Sequence, residues 1–344
     1  MIQQNMSKIN LKTKKIIALS LALVFLLSCV SAPMVTATPP PAPTVTKIST
    51  NTPVSVSTDR PADTLEPIFT PKPPVPYFER IVIIIFENKE FGTVIGNPLM
   101  LNYNKLAKEY TLLTQLYAVT HPSLPNYLAL AGGDTFGITS DCNNCFINAP
   151  SLPDLIEASG RTWKTYQEDM PKPCYLGDTH IYAQKHNPFI YFDSIRLDSV
   201  RCERSVVPLP ALQADIDSAS LPNFIFITPN ICNDAHDCGL DVADAWMTDL
   251  LGRLVPALDA THESYLLVLT FDEGQGNHSC CGLPLEAGGR VPVVFYSPLV
   301  KNGFEDPTPY THYSLLKTIS EAWGLPYLGH AADDSNVLIT APWK

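Results

Sequence analysis

A serine at the mouth of a predicted helix is the residue of this chain best placed for chemistry. Ser123 lies in the segment 121–127 (HPSLPNY), just before a run with helical spacing, Leu124 to Ala131. Free N–H groups and the dipole at a helix N-terminus attract anions, so a hydroxyl there can meet a phosphate group. Serine is also a common helix cap, and this segment alone favours the capping interpretation.

Acids, amides and imidazoles follow three predicted strands. They favour a chemical role for Ser123 over the helix-capping role. The groups are Glu87 and Asn88 after residues 81–86, Asp234 and His236 after 223–227, and Asp272 and Glu273 after 265–271. In sheets of parallel strands, ligands bind beyond the carboxyl ends of the strands. Carboxylates buried together raise one another's pKa, so a divalent cation is the natural partner for several of them. The sequence therefore predicts a divalent metal ion beside Ser123.

Strand-like and helix-like segments alternate along the chain. The apolar strand runs, with a fourth at 291–296, are continuous rather than alternating, as in strands covered on both faces. Amphipathic helical segments are predicted at 99–110, 124–131, 151–158, 209–216, 242–258 and 313–323. This order predicts an α/β fold, a three-layer α/β/α sandwich with a mainly parallel central sheet.

The N-terminus is typical of an exported protein. Four lysines precede an apolar run, residues 16–27, that is too short for a comfortable membrane span. Residues 26–29 (LLSC) resemble the lipobox of bacterial lipoproteins, which implies cleavage before Cys29 and a lipid on its sulfur. Ordinary signal cleavage near Ser31–Ala32 is the alternative. We therefore predict an extracytoplasmic protein, held on the cell membrane by its lipid or secreted.

Composition divides the rest of the chain into two parts. Residues 30–77 are rich in Pro, Thr and Ser and are predicted to form a solvated tether, because they cannot bury much apolar surface. Residues 78–344 are predicted to form one catalytic domain. The net charge of −11 argues against general nucleic-acid binding, and we expect a monomer.

The cysteine count favours disulfides. Nine cysteines are present, and eight remain without Cys29, an even number in an exported chain. Pairs close in sequence, Cys142–Cys145 and Cys232–Cys238, are predicted, although connectivity does not follow from sequence. A zinc site at Cys142 and Cys145 is the alternative, but no second CxxC or nearby histidine pair completes it.

Five short motifs, taken in order, resemble the bacterial phosphoesterase family of the alkaline-phosphatase-like superfamily. They are EN at 87–88, HPSLPNY at 121–127, NDAHD at 233–237, FDEG at 271–274 and HYSLLKTI at 312–319. That family includes secreted acid phosphatases, a phosphatidylinositol 3-phosphate phosphatase and phospholipases C. The resemblance implies an alkaline-phosphatase-like fold and a metal-dependent phosphomonoesterase that acts through a phosphoserine.

The resemblance also implies a role for each motif residue. Ser123 is the expected nucleophile, and Asn126 is expected to donate a hydrogen bond to a phosphoryl oxygen. His236, assisted by Asp234, is expected to bind phosphate or protonate the leaving oxygen. The implied metal ligands are Glu87, Asn88, Asp272 and Glu273. Further candidates for the same site are His312 and His121.

Two departures from the family pattern bear on the substrate and the metal. Two-metal members of the superfamily usually carry Asp-His where this chain has Asp272-Glu273, so the number of ions is left open. The phospholipase C branch typically continues DEHGG, whereas residues 274–278 here read GQGNH, which favours the phosphatase branch. The alternatives are a phospholipase C-type phosphodiesterase acting on a phospholipid head group and a non-catalytic solute-binding lipoprotein.

Overall fold

One mixed sheet organises residues 72–344, the part of the chain that the computed structural model describes. Its strands are β1 (Arg80–Phe86), β2 (Thr111–Tyr117), β3 (Trp163–Gln167), β4 (Val206–Pro208), β5 (Phe224–Thr228), β6 (Tyr265–Phe271), β7 (Arg290–Tyr296), β8 (Phe304–Asp306) and β9 (Tyr310–Thr311). The order is β4-β3-β5-β1-β6-β7-β2-β8, and β9 also pairs with β2. Only β7 runs antiparallel to its neighbours among these strands. The predicted α/β fold with a mainly parallel sheet is confirmed.

Helices flank this sheet, and the six predicted helical segments all appear among them. The helices are α1 (Phe91–Val94), α2 (Leu101–Glu109), α3 (Ser123–Gly132), α4 (Leu152–Ala158), α5 (Asp193–Arg196), α6 (Ser199–Ser205), α7 (Pro210–Asp217), α8 (Leu240–Ala260) and α9 (His312–Trp323). Short 3₁₀ turns occupy Pro98–Met100, Gln184–His186, Pro188–Tyr191 and Gly329–Ala332. The predicted helix 99–110 is thus divided between a 3₁₀ turn and α2.

The two central strands explain the continuous apolar runs of the sequence. β1 and β6 pair in parallel along their whole lengths, from Arg80 with Tyr265 to Phe86 with Phe271. Every residue of β6 is buried, as are all residues of β1 except the first. Because helices cover both faces of such strands, polar residues appear only where the strands end.

The strand directions bring the functional segments to one edge of the sheet. β1, β5 and β6 are parallel, so their carboxyl ends meet there. β7 is antiparallel to both β6 and β2, and β2 therefore points the same way as β6. The segment between β2 and α3, which leads to Ser123, consequently starts at the edge where Glu87 and Asp272 leave the sheet.

Four disulfides pair all eight cysteines of the described residues. They join Cys142 to Cys145, Cys174 to Cys202, Cys232 to Cys238 and Cys280 to Cys281. The two predicted local pairs are confirmed. The zinc alternative at Cys142 and Cys145 is excluded in this structure, since both sulfurs are used in a disulfide.

The predicted export signal lies outside the described residues. Residues 1–71 include the predicted signal peptide, Cys29 and most of the predicted tether. The folded body includes Val75, which is 3% exposed and packs in the core. Within residues 72–344, no helix has both the length and the apolar composition that crossing a membrane requires.

Candidate active site

The Ser123 side chain turns towards a buried acid rather than capping its helix. α3 begins at Ser123, with Pro122 in the capping position. The Ser123 hydroxyl donates a hydrogen bond to Glu87 Oε2 at 3.0 Å. The capping interpretation of this serine is therefore wrong, because its hydroxyl is hydrogen-bonded to Glu87 and not to a backbone N–H of α3.

Glu87 lies at the centre of a buried cluster of acidic residues that also contains Asp234, Asp272 and Glu273. Its side chain is completely buried at the end of β1, and its Oε1 accepts a hydrogen bond from the Tyr127 hydroxyl. Burial, followed by the nearby charges of Asp272 and Asp234, raises the pKa of Glu87 well above its usual range. This carboxyl therefore strongly favours a nearby positive charge.

Asn88 ties the ends of the two central strands together. Its backbone φ of 54° lies in the left-handed region, which asparagine tolerates better than most residues. Its backbone N–H donates to Asp272 Oδ1 at 2.9 Å, and its side-chain amide donates to Glu87 Oε2 at 3.0 Å. Asn88 therefore holds the carboxylates of Glu87 and Asp272 in place.

The acid pair after β6 faces the segment before Ser123. Glu273 Oε2 lies 2.7 Å from His121 Nδ1 and 3.3 Å from the amide nitrogen of Asn126. Burial, and then the charge of Asp272, raises the pKa of Glu273 to about 9. Burial also raises the pKa of Asp272, and the hydrogen bond from the Asn88 backbone N–H partly offsets this effect.

Asn126 braces the segment that leads to the serine. Its side-chain oxygen accepts from the backbone N–H of Val119 at 2.8 Å and of Thr120 at 3.2 Å. Its amide nitrogen donates to the Thr120 carbonyl at 2.7 Å and to the Pro122 carbonyl at 3.2 Å. In this structure the amide thus positions the loop, and its contact with a phosphoryl oxygen stays a prediction.

His186 was not predicted, yet it lies inside the cluster. Its Nε2 is 3.1 Å from Glu87 Oε1 and its Nδ1 is 3.3 Å from Asp234 Oδ2. Burial lowers the pKa of His186 to about 3, so the imidazole is neutral and able to bind a metal. The rule that site residues follow strands could not find it, because it lies in a 3₁₀ turn within the long connection after β3.

The other predicted histidines have three different environments. His236 is about one-third exposed, with its Nδ1 2.6 Å from Asp237 and its ring centroid 6.1 Å from that of His186. His312 is buried and its Nε2 donates to the Asp272 carbonyl at 2.5 Å, so it fixes the backbone of Asp272 and does not contact its carboxylate. His121, also about one-third exposed, contacts Glu273 and the Gly276 carbonyl.

Residues 97–326 match the phosphoesterase family. The chain belongs to the phosphoesterase family. It is 39% identical over 272 residues to a phosphate-repressible acid phosphatase of Penicillium chrysogenum, covering 76% of this chain and 63% of that protein. It is 34% identical over 266 residues to a phosphatidylinositol-3-phosphatase of Mycobacterium tuberculosis, covering 75% and 81%. The predicted family is confirmed, and the chain spans about three fifths of the length of the fungal acid phosphatases it matches.

Solved structures support the same fold. A lipoteichoic acid synthase of Listeria monocytogenes superposes with a TM-score of 0.53 at 11% identity, covering 77% of this chain and 76% of that one. A protein of the alkaline phosphatase superfamily from Vibrio parahaemolyticus superposes with a TM-score of 0.51 at 12% identity, covering 78% and 71%. At these identities the likeness concerns the fold, and it confirms the predicted alkaline-phosphatase-like architecture.

The cluster of this phosphoesterase family member has the donor set of a cation site. Within residues 72–344, buried atoms that make no hydrogen bond of acceptable geometry include His186 Nε2, Asp234 Oδ2 and Asp272 Oδ2, although the first two have a close ionisable neighbour. Ligand atoms of Glu87, His186 and Asp234 all lie within 4.8 Å of one another. Buried polar atoms are normally paired, and oxygen with imidazole donors suits a divalent ion. Asp234, predicted to assist His236, thus also belongs to the candidate metal cluster.

The metal-free protein is expected to lose stability as the pH rises from about 6.5 to 9. Burial raises the pKa of Asp234 from 3.8 to about 7 and that of Glu273 from 4.5 to about 9. The folded state therefore holds protons that the unfolded state has released, and raising the pH favours unfolding. His186, whose pKa is lowered to about 3, acts in the opposite direction only below about pH 6.5.

Thermal unfolding of chelator-treated protein at pH 6.5, 7.5 and 9 measures this effect. The melting temperature should fall across the series, and a saturating divalent ion should flatten the dependence because it replaces the protons. A melting temperature that rises with pH in the chelator-treated protein contradicts the prediction.

Proposed function

We propose that this protein is a metal-dependent phosphomonoesterase of the acid-phosphatase type. The observation that carries the proposal is the Ser123 hydroxyl at the start of α3, hydrogen-bonded to Glu87 within a buried acid and histidine cluster. A nucleophile, an anion-attracting helix start and donors for a divalent ion meet at one place, which phosphoryl transfer requires.

The named relatives favour a monoester substrate. Relatives at 34–39% identity are named acid phosphatases or a phosphatidylinositol-3-phosphatase. A hemolytic phospholipase C of Pseudomonas aeruginosa is 23% identical over 38% of its own length. The substrate proposed for this chain is a small phosphate ester or a phosphorylated lipid head group. Family and relatives support a hydrolase of phosphoric esters over a solute-binding lipoprotein.

In the proposed mechanism the Ser123 oxygen attacks phosphorus in line with the leaving alcohol. Glu87, Asp234, Asp272 and His186 would hold the divalent ion, with Glu273 and Asn88 adjoining. When bound, this ion supplies positive charge that favours the serine alkoxide and balances the phosphoryl oxygens. A bond forms between Ser123 Oγ and phosphorus while the ester P–O bond breaks, leaving a phosphoserine that water then hydrolyses to phosphate.

Two groups around the serine assist this reaction. Among residues 72–344 the Ser123 N–H has no hydrogen-bond partner, so it is free to receive a phosphoryl oxygen. The His236 ring lies at the rim of the cluster, where it can protonate the departing alcohol oxygen. The Leu124 N–H, by contrast, already donates to Asp141 at 3.0 Å.

Replacing His236 by alanine is expected to affect poor leaving groups most. An alkyl alkoxide needs a proton as it departs, whereas p-nitrophenolate leaves without one. We expect kcat for glycerol phosphate to fall by about 10²-fold or more, and kcat for p-nitrophenyl phosphate to fall much less. His262→Ala is the matched control, because that exposed histidine lies in the turn before β6, at the sheet edge opposite the cluster. Equal losses on both substrates contradict the role.

A substrate panel tests the proposed function. The purified protein, supplied with Mg²⁺, Mn²⁺ or Zn²⁺, is assayed with p-nitrophenyl phosphate, bis-p-nitrophenyl phosphate and phosphatidylcholine. We expect hydrolysis of the monoester and its loss on chelation. Preferential hydrolysis of the diester or of phosphatidylcholine supports the phospholipase C alternative, and no hydrolysis with any ion contradicts the proposal.

We also propose that the chain acts outside the cytoplasm, anchored through Cys29 or secreted. The four disulfides of the folded body support export, because such bonds persist in oxidising compartments. Mass spectrometry of the mature N-terminus distinguishes the two forms. A lipidated Cys29 supports the anchor, whereas a terminus near Ala32 supports secretion.

A further inference from the structure

One carboxylate outside the cluster joins the nucleophile helix to the turn that carries His186. Asp141 Oδ1 accepts the Leu124 N–H at 3.0 Å, at the second residue of α3. Asp141 Oδ2 accepts a hydrogen bond from Lys185 Nζ at 2.9 Å. The two side chains are 27% and 20% exposed, so the ion pair is largely withdrawn from solvent.

The ammonium of Lys185 is a potential competitor of the metal. Lys185 directly precedes His186, whose Nε2 lies 3.1 Å from Glu87 Oε1 and whose Nδ1 lies 3.3 Å from Asp234 Oδ2. A lysine has a long flexible chain and a compact charge that carboxylates attract strongly at partly buried sites. Freed from Asp141, this ammonium would move towards the acids that lack a partner.

The segment of Asp141 is fixed well enough to hold the lysine back. The adjacent Cys142 is in a disulfide with Cys145. Asn143 accepts a hydrogen bond through its carbonyl from the Gln184 side chain at 2.9 Å, which ties the loop to the 3₁₀ turn a second time. Asp141 itself is held at the start of α3, so its position does not follow the movement of Lys185.

We propose that Asp141 is a positioning residue that holds the Lys185 ammonium away from the carboxylate cluster and so keeps the cluster open to a divalent ion. This inference rests on the proposed function for its biological meaning, but its physical content is a competition between two cations. Asp141 touches neither metal nor substrate, and it acts through Lys185. The held ammonium remains near the start of α3, where a phosphate group would bind.

Metal titration of the full chain tests this proposal without an activity assay. Mg²⁺ and Zn²⁺ are each titrated by calorimetry into chelator-treated wild type, Asp141→Asn and the double variant Asp141→Asn/Lys185→Gln. Asparagine keeps an oxygen for the Leu124 N–H but loses the charge that binds the lysine. We expect Asp141→Asn to bind the metal about tenfold more weakly or worse, because the freed Lys185 ammonium adds one positive unit charge close to the ion. The double variant should regain wild-type affinity within about threefold, because the competing ammonium is gone.

A matched control comes from another helix start. Asp154 accepts the Ser151 N–H at 2.7 Å and pairs with Arg201 at 2.8 Å, so Asp154→Asn breaks the same kind of ion pair far from the cluster in sequence. It should leave metal affinity unchanged. Unchanged affinity in Asp141→Asn overturns the proposal, and so does weak binding that the double variant does not restore. If wild type binds metal but hydrolyses no monoester, the proposed function fails and the titration still decides this inference.

Discussion

Replacing Ser123 by alanine is expected to lower phosphomonoester turnover by about 10³-fold or more while leaving the fold intact. The change removes the oxygen that donates to Glu87 and that is proposed to attack phosphorus. Loss of one buried hydrogen bond costs about 1 kcal/mol, too little to unfold the domain. Steady-state hydrolysis of p-nitrophenyl phosphate measures the loss, and thermal unfolding checks the fold.

An acid quench with labelled substrate examines the intermediate directly. Wild type should retain label on Ser123, and the alanine variant should retain none. Ser199→Ala is the matched control, because Ser199 is the first residue of α6 but is exposed and distant in sequence from the cluster. Normal turnover by the Ser123 variant, or label on another residue, would falsify the covalent mechanism.

Replacing Glu87 by glutamine is expected to remove both metal binding and activity. The substitution keeps the shape of the side chain but removes the negative charge at the centre of the cluster. We expect turnover to fall by about 10²-fold or more, since the proposed metal charge is lost. Metal at about 100 times its Kd should raise the melting temperature of wild type by about 5 °C and that of the variant far less.

The same variant should be more stable than wild type at high pH when both are metal-free. Glutamine cannot ionise, so the variant avoids the cost of deprotonating a buried group beside Asp272 and Asp234. Thermal unfolding at pH 9 with chelator measures the difference. Asp244→Asn is the control, because this buried acid accepts hydrogen bonds from Asn102 and Tyr103 at the start of α2.

A metal response equal to that of wild type in the Glu87 variant contradicts the proposed site.

The sequence was most informative where a residue's role follows from the ends of strands. Long buried strands such as β1 and β6 have a clear apolar pattern, and parallel pairing then brings Glu87 and Asp272 together. β2, β3 and the short strands β4, β8 and β9 were missed, and β2 mixes buried and half-buried residues around a register shift. Local patterns therefore predicted the central sheet better than its margins.

The same limit explains which site residues were missed. His186 enters the cluster from a 3₁₀ turn, and no local pattern indicates that such a turn folds back onto β1. Asp141 and Lys185 likewise meet across 44 residues of sequence. Asn126 was predicted to contact a phosphoryl oxygen, and only its contacts with Val119 and Thr120 reveal that it braces a loop.

The disulfide between Cys232 and Cys238 encloses Asp234 and His236 in a small covalent ring. Asp234 is proposed to bind the ion and His236 to protonate the leaving alcohol, and the same disulfide-closed loop holds both side chains. In a chain with reduced thiols this ring is open, and the spacing of the two groups depends on weaker contacts alone. Assembly of the proposed catalytic centre is then coupled to thiol oxidation, and chains with reduced thiols are expected to be less active than oxidised ones.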